Sequence, residues 1–184
     1  MRYPAAETEK KHARILKEAS RLFRERGFSN VSVHELMAST GLTHGPFYNH
    51  FDSKEQLIAE CVSMGMQETL SGVEAHFQTA AGRRRYMDRY LSTRHRDSPG
   101  TGCAMAAVAQ QVQSEPEARS RFTGFMKEIV KAMSNGFPTR RSARRKALHT
   151  LASAVGALIL ARAVDDEGFS REILNAVRQS LNSM

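Results

Sequence analysis

The sequence lacks most features that identify secreted or membrane-bound proteins. Its 184 residues include no Trp and two Cys, Cys61 and Cys103, which exclude a disulfide framework. The N-terminal run MRYPAAETEKKHARILKE carries charges where a secretory signal has an apolar core. The longest uncharged apolar stretch, residues 150–161, is shorter than the roughly 20 residues that span a bilayer. These absences predict an intracellular, cytoplasmic protein without membrane contact.

The basic charge is unevenly distributed along the chain. The net charge of +8 is typical of proteins that bind nucleic acid. However, residues 1–60 carry nine Lys or Arg against eight Asp or Glu, and the excess lies in GRRRYMDRYLSTRHR and TRRSARRK. We interpret these two runs as solvated helix faces, so charge alone does not locate a DNA-binding segment.

Helical periodicity dominates the first 40 residues. Apolar residues with helical spacing form one face of a first helix: Ile15, Leu16, Ala19, Leu22 and Phe23. Gly27 is suited to the left-handed cap after that helix. Ser32 and Glu35 match a capping box that starts a short second helix, which ends near the turn signal Thr40-Gly41.

The rest of the chain also has helical spacing, with turn signals between the segments. Asp52-Ser53, followed by Glu55 and Gln56, predicts the N-cap of a third long helix. Further helices are predicted over 83–95, 102–113, 116–135, 140–164 and 170–182. No strand-like alternation is long enough to count, so the predicted fold is all-α.

The stretch LTHGPFYNHFDSK, residues 42–54, predicts a short helix over 43–51. Thr43 is a good N-cap, and Pro46 falls in the first turn, where its missing N–H costs little. Phe47 and Phe51 share the inner face, and Gly45 and Asn49 lie opposite. No residue from 43 to 51 is charged, which is unusual for the outer face of a surface helix.

This order of elements predicts a helix-turn-helix whose second helix enters the major groove. Asn49 suits a base edge, Thr43 and Tyr48 suit phosphates, and His44 and His50 suit either; Lys54 suits a phosphate clamp. The alternatives are a purely structural helix and a metal site. The two histidines point about 120° apart on a helix, which disfavours a shared metal.

The run ASRLFRERGFSNVSVHELMASTGLTHGPFYNHFDSKEQL resembles the N-terminal domain of TetR-type transcriptional regulators. The resemblance rests on Gly27-Phe28, Gly41-Leu42, the Phe-Tyr pair, His50-Phe51 and Ser53-Lys54. It implies a homodimeric all-helical repressor without enzymatic activity or cofactor. Residues 8–68 would bind double-stranded operator DNA, and residues 69–184 would dimerise and bind a small effector that releases the DNA. Pro46 departs from the small residue that is more usual there.

The resemblance also implies which positions contact DNA. Two of them begin the second helix, and the others lie in or beside the recognition helix: Ser32, Val33, Thr43, His44, Gly45, Pro46, Tyr48, Asn49, His50 and Lys54. Packing or capping is the alternative role for His50. Arg2, Lys10 and Lys11 are candidates for backbone contacts from the N-terminal arm, against a solvated tail.

Apolar stripes in the last two predicted helices suggest a dimer interface. Its candidate residues have helical spacing: Leu151, Val155, Leu158, Ile159, Ile173, Val177 and Leu181. In TetR-type proteins the corresponding helices pair between subunits, and a palindromic operator requires a two-fold protein. The alternative is that these stripes serve only the internal core.

Two further sets of residues are candidates for effector sensing. Thr101 is expected to cap a helix that holds Cys103 in its first turn, where a thiolate is stabilised, so we consider Cys103 a possible redox sensor. A small buried residue is the alternative. Five apolar side chains are candidates for an effector pocket or for core: Met105, Phe122, Phe125, Met126 and Met133.

Two other classes of function remain open. A small helical enzyme would need a nucleophile–base pair, a metal cluster or a phosphate loop, and the sequence shows only scattered histidines. A helical interaction module without DNA would not need the uncharged outer face of residues 43–51.

Overall fold

Nine α-helices and three short 3-10 segments follow one another along the described chain, and no strand interrupts them. The computed structural model describes residues 5–42 and 45–183, and the side chains from position 7 onward apart from 43 to 46. The predicted all-α fold is confirmed. The helices are α1 Ala5–Arg26, α2 Val33–Ser39, α3 Lys54–His76, α4 Ala80–Tyr90, α5 Thr93–Arg96, α6 Ala104–Val108, α7 Pro116–Asn135, α8 Arg140–Ala163 and α9 Glu167–Asn182.

The first helix forms and ends as its sequence predicts. Ile15 and Ala19 are fully buried, and Leu22 and Phe23 are nearly so. Gly27 takes a φ of +85°, the left-handed conformation that lets the chain leave α1. Phe28 then folds back, and its ring meets that of Phe23 edge-on at 5.4 Å.

The third helix connects the N-terminal helices to the rest of the molecule. It packs against α1 and along the length of α7, while α7 packs on α8 and α8 on α9. The boundary predicted between residues 68 and 69 falls inside α3, which continues through it without a break. A division into two domains therefore stays a prediction, with α3 shared by both parts.

Two predicted helices are each split in the structure. The segment 83–95 is divided between α4 and α5, because Ser92 caps a new helix by accepting a hydrogen bond from His95 N at 3.2 Å. The segment 102–113 is divided between α6 and a 3-10 turn over Gln111–Ser114. The prediction of 116–135 was correct, and the last helix starts three residues early because Asp166 caps it.

Candidate nucleic-acid interface

The second helix is held by a cap and an ion pair. Ser32 Oγ accepts a hydrogen bond from Glu35 N at 3.1 Å, which confirms half of the predicted capping box. The Glu35 carboxylate does not complete the box, because it pairs with the guanidinium of Arg26 at the end of α1. Ser32 stays exposed and Val33 half-buried. Both therefore lie at the surface where α2 begins.

The recognition segment forms a 3-10 helix over Gly45–Asn49 and not the α-helix predicted over 43–51. Phe51 N donates to Phe47 O at 3.0 Å, which closes a single wider turn at its end. Phe47 and Phe51 are 0% and 1% exposed, as predicted for the inner face. So short a segment depends on this burial, because two turns of helix do not persist alone. Thr43 and His44, and the side chains of Gly45 and Pro46, lie outside the described part of the chain.

Two predicted contact residues point away from the protein. The Tyr48 side chain is 62% exposed, and its ring stands edge-on to Phe47 at 5.1 Å. Asn49 is also exposed. A rigid aromatic base therefore supports an outward hydroxyl and an outward amide next to each other.

His50 turns towards α1 and is half-buried. Its ring lies 6.1 Å from that of His12. Burial, and then the neighbouring charges of His12 and Lys11, lower the pKa of His50. This geometry favours packing over DNA contact as the role of His50, the two alternatives that the sequence left open.

Lys54 has a partner that the sequence did not predict. Its ammonium donates to the carbonyl oxygen of Phe28 at 2.7 Å, across the turn that follows α1. That carbonyl lies past the end of the helix and has no intrahelical partner to bond. The predicted phosphate clamp is thus corrected in one respect, because the amine is engaged within the protein. Ser53 caps α3 as expected, accepting from Gln56 N at 3.1 Å.

Three N-terminal residues, Arg2, Lys10 and Lys11, were predicted as candidates for contacts to the DNA backbone. Lys11 forms an ion pair with Glu7 at 2.9 Å, Lys10 is exposed, and Arg2 lies outside the described residues. Within residues 5–42 and 45–183, no three His, Cys, Asp or Glu side chains converge as a metal site would require. His44 is not among these residues, so the paired-histidine alternative is not addressed.

Two side chains that sequence reasoning missed link the N-terminal helices to the helical body. The Arg24 side chain is 7% exposed; it donates to the carbonyl of Gly102 at 2.9 Å, to Ser20 Oγ at 2.6 Å and to Glu68 at 3.4 Å. The Gln111 Oε1 accepts from Phe28 N at 2.6 Å. No local pattern marks either residue, because both partners lie more than 75 positions away in sequence.

Cys103 occupies a different position from the one expected. It is the residue before α6, a helix of five residues, and its backbone N–H donates to His95 Nε2 at 3.0 Å. Thr101 ends a separate 3-10 turn and caps nothing at Cys103. The predicted first-turn placement is therefore wrong. The side chain is 6% exposed, which fits the alternative of a small buried residue.

The apolar effector candidates do not line the two largest cavities. Met105 and Met133 are buried in the core, while Phe122, Phe125 and Met126 are half-buried against it. A cavity of about 520 Å³ lies instead between α3, α4 and the segment leading to Cys103. The role of the five apolar candidates in binding an effector stays a prediction, because none of them lines this cavity.

Only part of the predicted dimer stripe is available at the surface. Leu158 is fully buried, and Leu151 and Leu181 are each 8% exposed, because these side chains fill the core of their own subunit. They are corrected to core residues. Val155, Ile173 and Val177 are half-buried, and Ile159 is 42% exposed. Leu148 of the predicted α8 stripe is 45% exposed, and two exposed apolar neighbours on the same helices, Leu160 and Phe169, were not predicted. None of the helices in the described chain is long and apolar enough to cross a membrane.

A short helix packed on α1, a turn, and a 3-10 segment anchored by the buried Phe47 have the order of elements of a helix-turn-helix. Comparison with known proteins shows which family this region resembles. Residues 15–61 match the family model "Bacterial regulatory proteins, tetR family". The N-terminal helices of the chain therefore resemble the corresponding part of tetR-family regulatory proteins.

Relatives and solved structures agree with this family. The repressor KstR2 of Rhodococcus jostii is 26% identical over 123 residues, which are 65% of this chain and 60% of that protein. The repressor DhaR of a Mycobacterium species is 30% identical over 48% of this chain and 46% of that protein. The matched segments span between 17% and 60% of the curated relatives' lengths.

The fold likeness extends over the whole chain. A TetR transcriptional regulator from Chloroflexus aurantiacus superposes with a TM-score of 0.78 at 23% identity, covering 97% of this chain and 95% of that one. The reduced form of Escherichia coli NemR gives 0.78 at 18% identity, covering 95% and 96%. Likenesses at this identity show the fold.

Proposed function

We propose that this protein is a sequence-specific DNA-binding transcriptional repressor without enzymatic activity. The observation that carries the proposal is the pair Tyr48 and Asn49, which point outward from a segment anchored by the buried rings of Phe47 and Phe51. A recognition element must present polar groups in a fixed orientation, and this one has two adjacent outward groups on a buried base. The repressors among the curated relatives support the same function.

The candidate residues divide into those that would contact bases or phosphates and those that would hold the recognition segment in place. Asn49 carries an amide that can bond an adenine edge bidentately, and Tyr48 carries a hydroxyl suited to a phosphate. Ser32 and Val33 would approach the backbone at the start of α2. Thr43, His44, Gly45 and Pro46 stay candidates from the sequence. His50 and Lys54 would act by holding the recognition segment and α3 in place.

We propose that the protein works as a homodimer that pairs through α8 and α9. Ile159 and Phe169 expose 42% and 51% of their surface there, beside Val155 and Val177. Apolar side chains grouped on two adjacent helices are stabilised when a second copy covers them. A dimer would place two recognition segments about 34–36 Å apart, one turn of DNA. Ile159→Asp would yield a monomer in sedimentation, and an unchanged dimer would refute this interface.

Release from DNA would follow binding of a small effector in the helical body. Thiol oxidation at Cys103 is the second candidate trigger, favoured by the position of Cys103 on the wall of a cavity of about 520 Å³. Mild peroxide with wild type and Cys103→Ser distinguishes the two. If both proteins release DNA equally, oxidation does not act through this residue. Since operator DNA is the ligand, we expect the protein to work in the cytoplasm.

DNA binding is tested by selecting the bound site from random DNA and then measuring fluorescence anisotropy at several salt concentrations. Asn49→Ala should cost about ten-fold at the preferred site and relax base preference at one position. Tyr48→Phe should weaken all sequences alike. Gln113→Ala, which removes an exposed side-chain amide from the 3-10 turn before α7, is the control and should change nothing. Equal losses across operator variants for Asn49→Ala would show that it reads no base.

A further inference from the structure

A cavity beside α3 and α4 has a polar mouth and a buried aromatic wall. It measures about 520 Å³ and is lined by α3, α4 and the segment from Ser92 to Cys103, a volume typical of small-molecule sites. Arg89 and Arg94 line it and are exposed, whereas Tyr86 and Tyr90 are each 9% exposed. The charged and aromatic groups therefore lie at different depths.

The hydroxyl of Tyr90 is sealed from solvent and has no hydrogen-bond partner. Burial, and then the nearby Cys103 thiol, raise the pKa of Tyr90 well above its usual range, so the hydroxyl keeps its proton. A buried hydroxyl without a partner is destabilising, and native proteins seldom keep one without a role. Tyr90 lines the cavity, so a small shift of the groups that cover its hydroxyl would let a ligand oxygen supply the missing acceptor.

The charges around the cavity are mainly positive. Arg89 and Arg94 line it against a single lining acid, Glu68, which is itself within 3.4 Å of Arg24. Arg162 lies beside Gly102 and donates to the carbonyls of Arg96 and His95 at 2.9 and 3.0 Å; it has no ion pair within the described chain. This excess of cations favours an anionic occupant.

The aromatic wall favours a flat occupant. The rings of Tyr86 and Tyr90 are nearly parallel, 18° apart with centroids at 6.3 Å, and the Arg89 guanidinium lies 5.5 Å from the centre of the Tyr86 ring. Gly65 and Gly72 of α3 also line the cavity, and Gly72 lies so close to the Tyr86 ring that an added Cβ would be 3.3 Å from it. A planar ring fits against such a wall.

We propose that this cavity binds a small aromatic carboxylic acid that carries a second polar oxygen opposite its carboxylate. The carboxylate lies at the mouth with Arg89 and Arg94, and the second oxygen accepts the hydrogen bond of the Tyr90 hydroxyl. The ring stacks beside Tyr86.

The site is also placed to act on the DNA-binding end, a consequence that rests on the proposed function. Gly102 and Cys103 form part of the cavity wall, and the Gly102 carbonyl accepts the 2.9 Å hydrogen bond from Arg24 of α1. An occupant that shifts this wall loosens α1, against which α2 and α3 pack. The aromatic acid is then the effector.

Calorimetry with 4-hydroxybenzoate, benzoate and 4-hydroxybenzamide tests the site without DNA. Wild type should prefer 4-hydroxybenzoate over both analogues, one of which lacks the second oxygen and the other the charge. Tyr90→Phe should weaken 4-hydroxybenzoate about five-fold and leave benzoate within about two-fold. Arg89→Met should weaken both acids by roughly three-fold and spare the amide. Arg85→Met, on the exposed side of the same helix, is the control and should bind as wild type does.

Three results would overturn the proposal. They are no saturable binding of 4-hydroxybenzoate, equal affinity for the three compounds, and equal losses of both acids in Tyr90→Phe. A separate anisotropy measurement adds 4-hydroxybenzoate to the DNA complex. Binding without release would refute the link through Arg24 and leave the site standing. Absence of specific DNA binding would refute the proposed function and leave the calorimetry unaffected.

Discussion

Replacing Tyr90 with Phe should make the protein more stable and weaken ligand binding in the cavity that Tyr90 lines. The substitution keeps the ring and removes one oxygen that is buried without a hydrogen-bond partner. Burying an unpaired hydroxyl costs about 1–3 kcal/mol. A chain of this length gains about 2–4 °C in melting temperature for each kcal/mol. We therefore expect Tyr90→Phe to melt roughly 2–12 °C above wild type.

Differential scanning calorimetry in ligand-free buffer measures this shift. Tyr86→Phe is the matched control. The Tyr86 hydroxyl is not among the buried polar groups that lack a hydrogen-bond partner, so this variant should melt within about 2 °C of wild type. An unchanged or lower melting temperature for Tyr90→Phe would show that its hydroxyl already has a partner in the empty protein. The inference that the Tyr90 hydroxyl needs a hydrogen-bond acceptor from a ligand would then be wrong.

Three further predictions concern the turn after α1, the Lys54 bond and acid stability. In urea denaturation, Gly27→Ala should lower the free energy of unfolding by about 1–2 kcal/mol, since φ is +85° and the new Cβ would lie 2.9 Å from Gln111 Oε1. The control Gly124→Ala, whose new Cβ would meet no atom within 4 Å, should be neutral or gain up to about 1 kcal/mol. Lys54→Met should lose about 1–2 kcal/mol by the same assay, because the Phe28 carbonyl loses its donor; undiminished stability would mean that the bond is dispensable. Burial lowers the pKa of His95 below its usual 6.5, so the unfolded chain binds the proton first. Stability should fall as pH drops from 7 towards about 5, and a pH series of melts should be flatter for His95→Gln.

Sequence reasoning succeeded where the determinants are local. The buried face of α1, the cap at Gly27, the Ser53 cap and the anchoring of Phe47 and Phe51 follow from spacing and residue type within a few positions. These are short-range effects of side-chain periodicity and backbone conformation. They sufficed to predict the all-α fold and the recognition segment.

The failures come from contacts between distant parts of the chain. Leu158 has the same local pattern as Ile159, yet one is fully buried and the other 42% exposed, and only the packing of α7 and α9 on α8 decides between them. The amine of Lys54 is taken by a carbonyl 26 positions earlier. The hydrogen bond between Cys103 and His95 likewise depends on how α5 folds back. Periodicity carries no information on such pairings.

The bond from Arg24 to Gly102 has a consequence for experiments on ionic strength. Its guanidinium is 7% exposed, and its closest partners are a carbonyl and a hydroxyl, which carry no net charge. Dissolved ions screen exposed charge pairs strongly and buried hydrogen bonds weakly. Raising the salt concentration should therefore weaken phosphate contacts while the junction between α1 and the helical body stays intact. A salt titration of this protein can thus report on its exposed charges, which are the phosphate contacts and the Arg26–Glu35 pair beside α2, while the Arg24 bond to the helical body is unchanged.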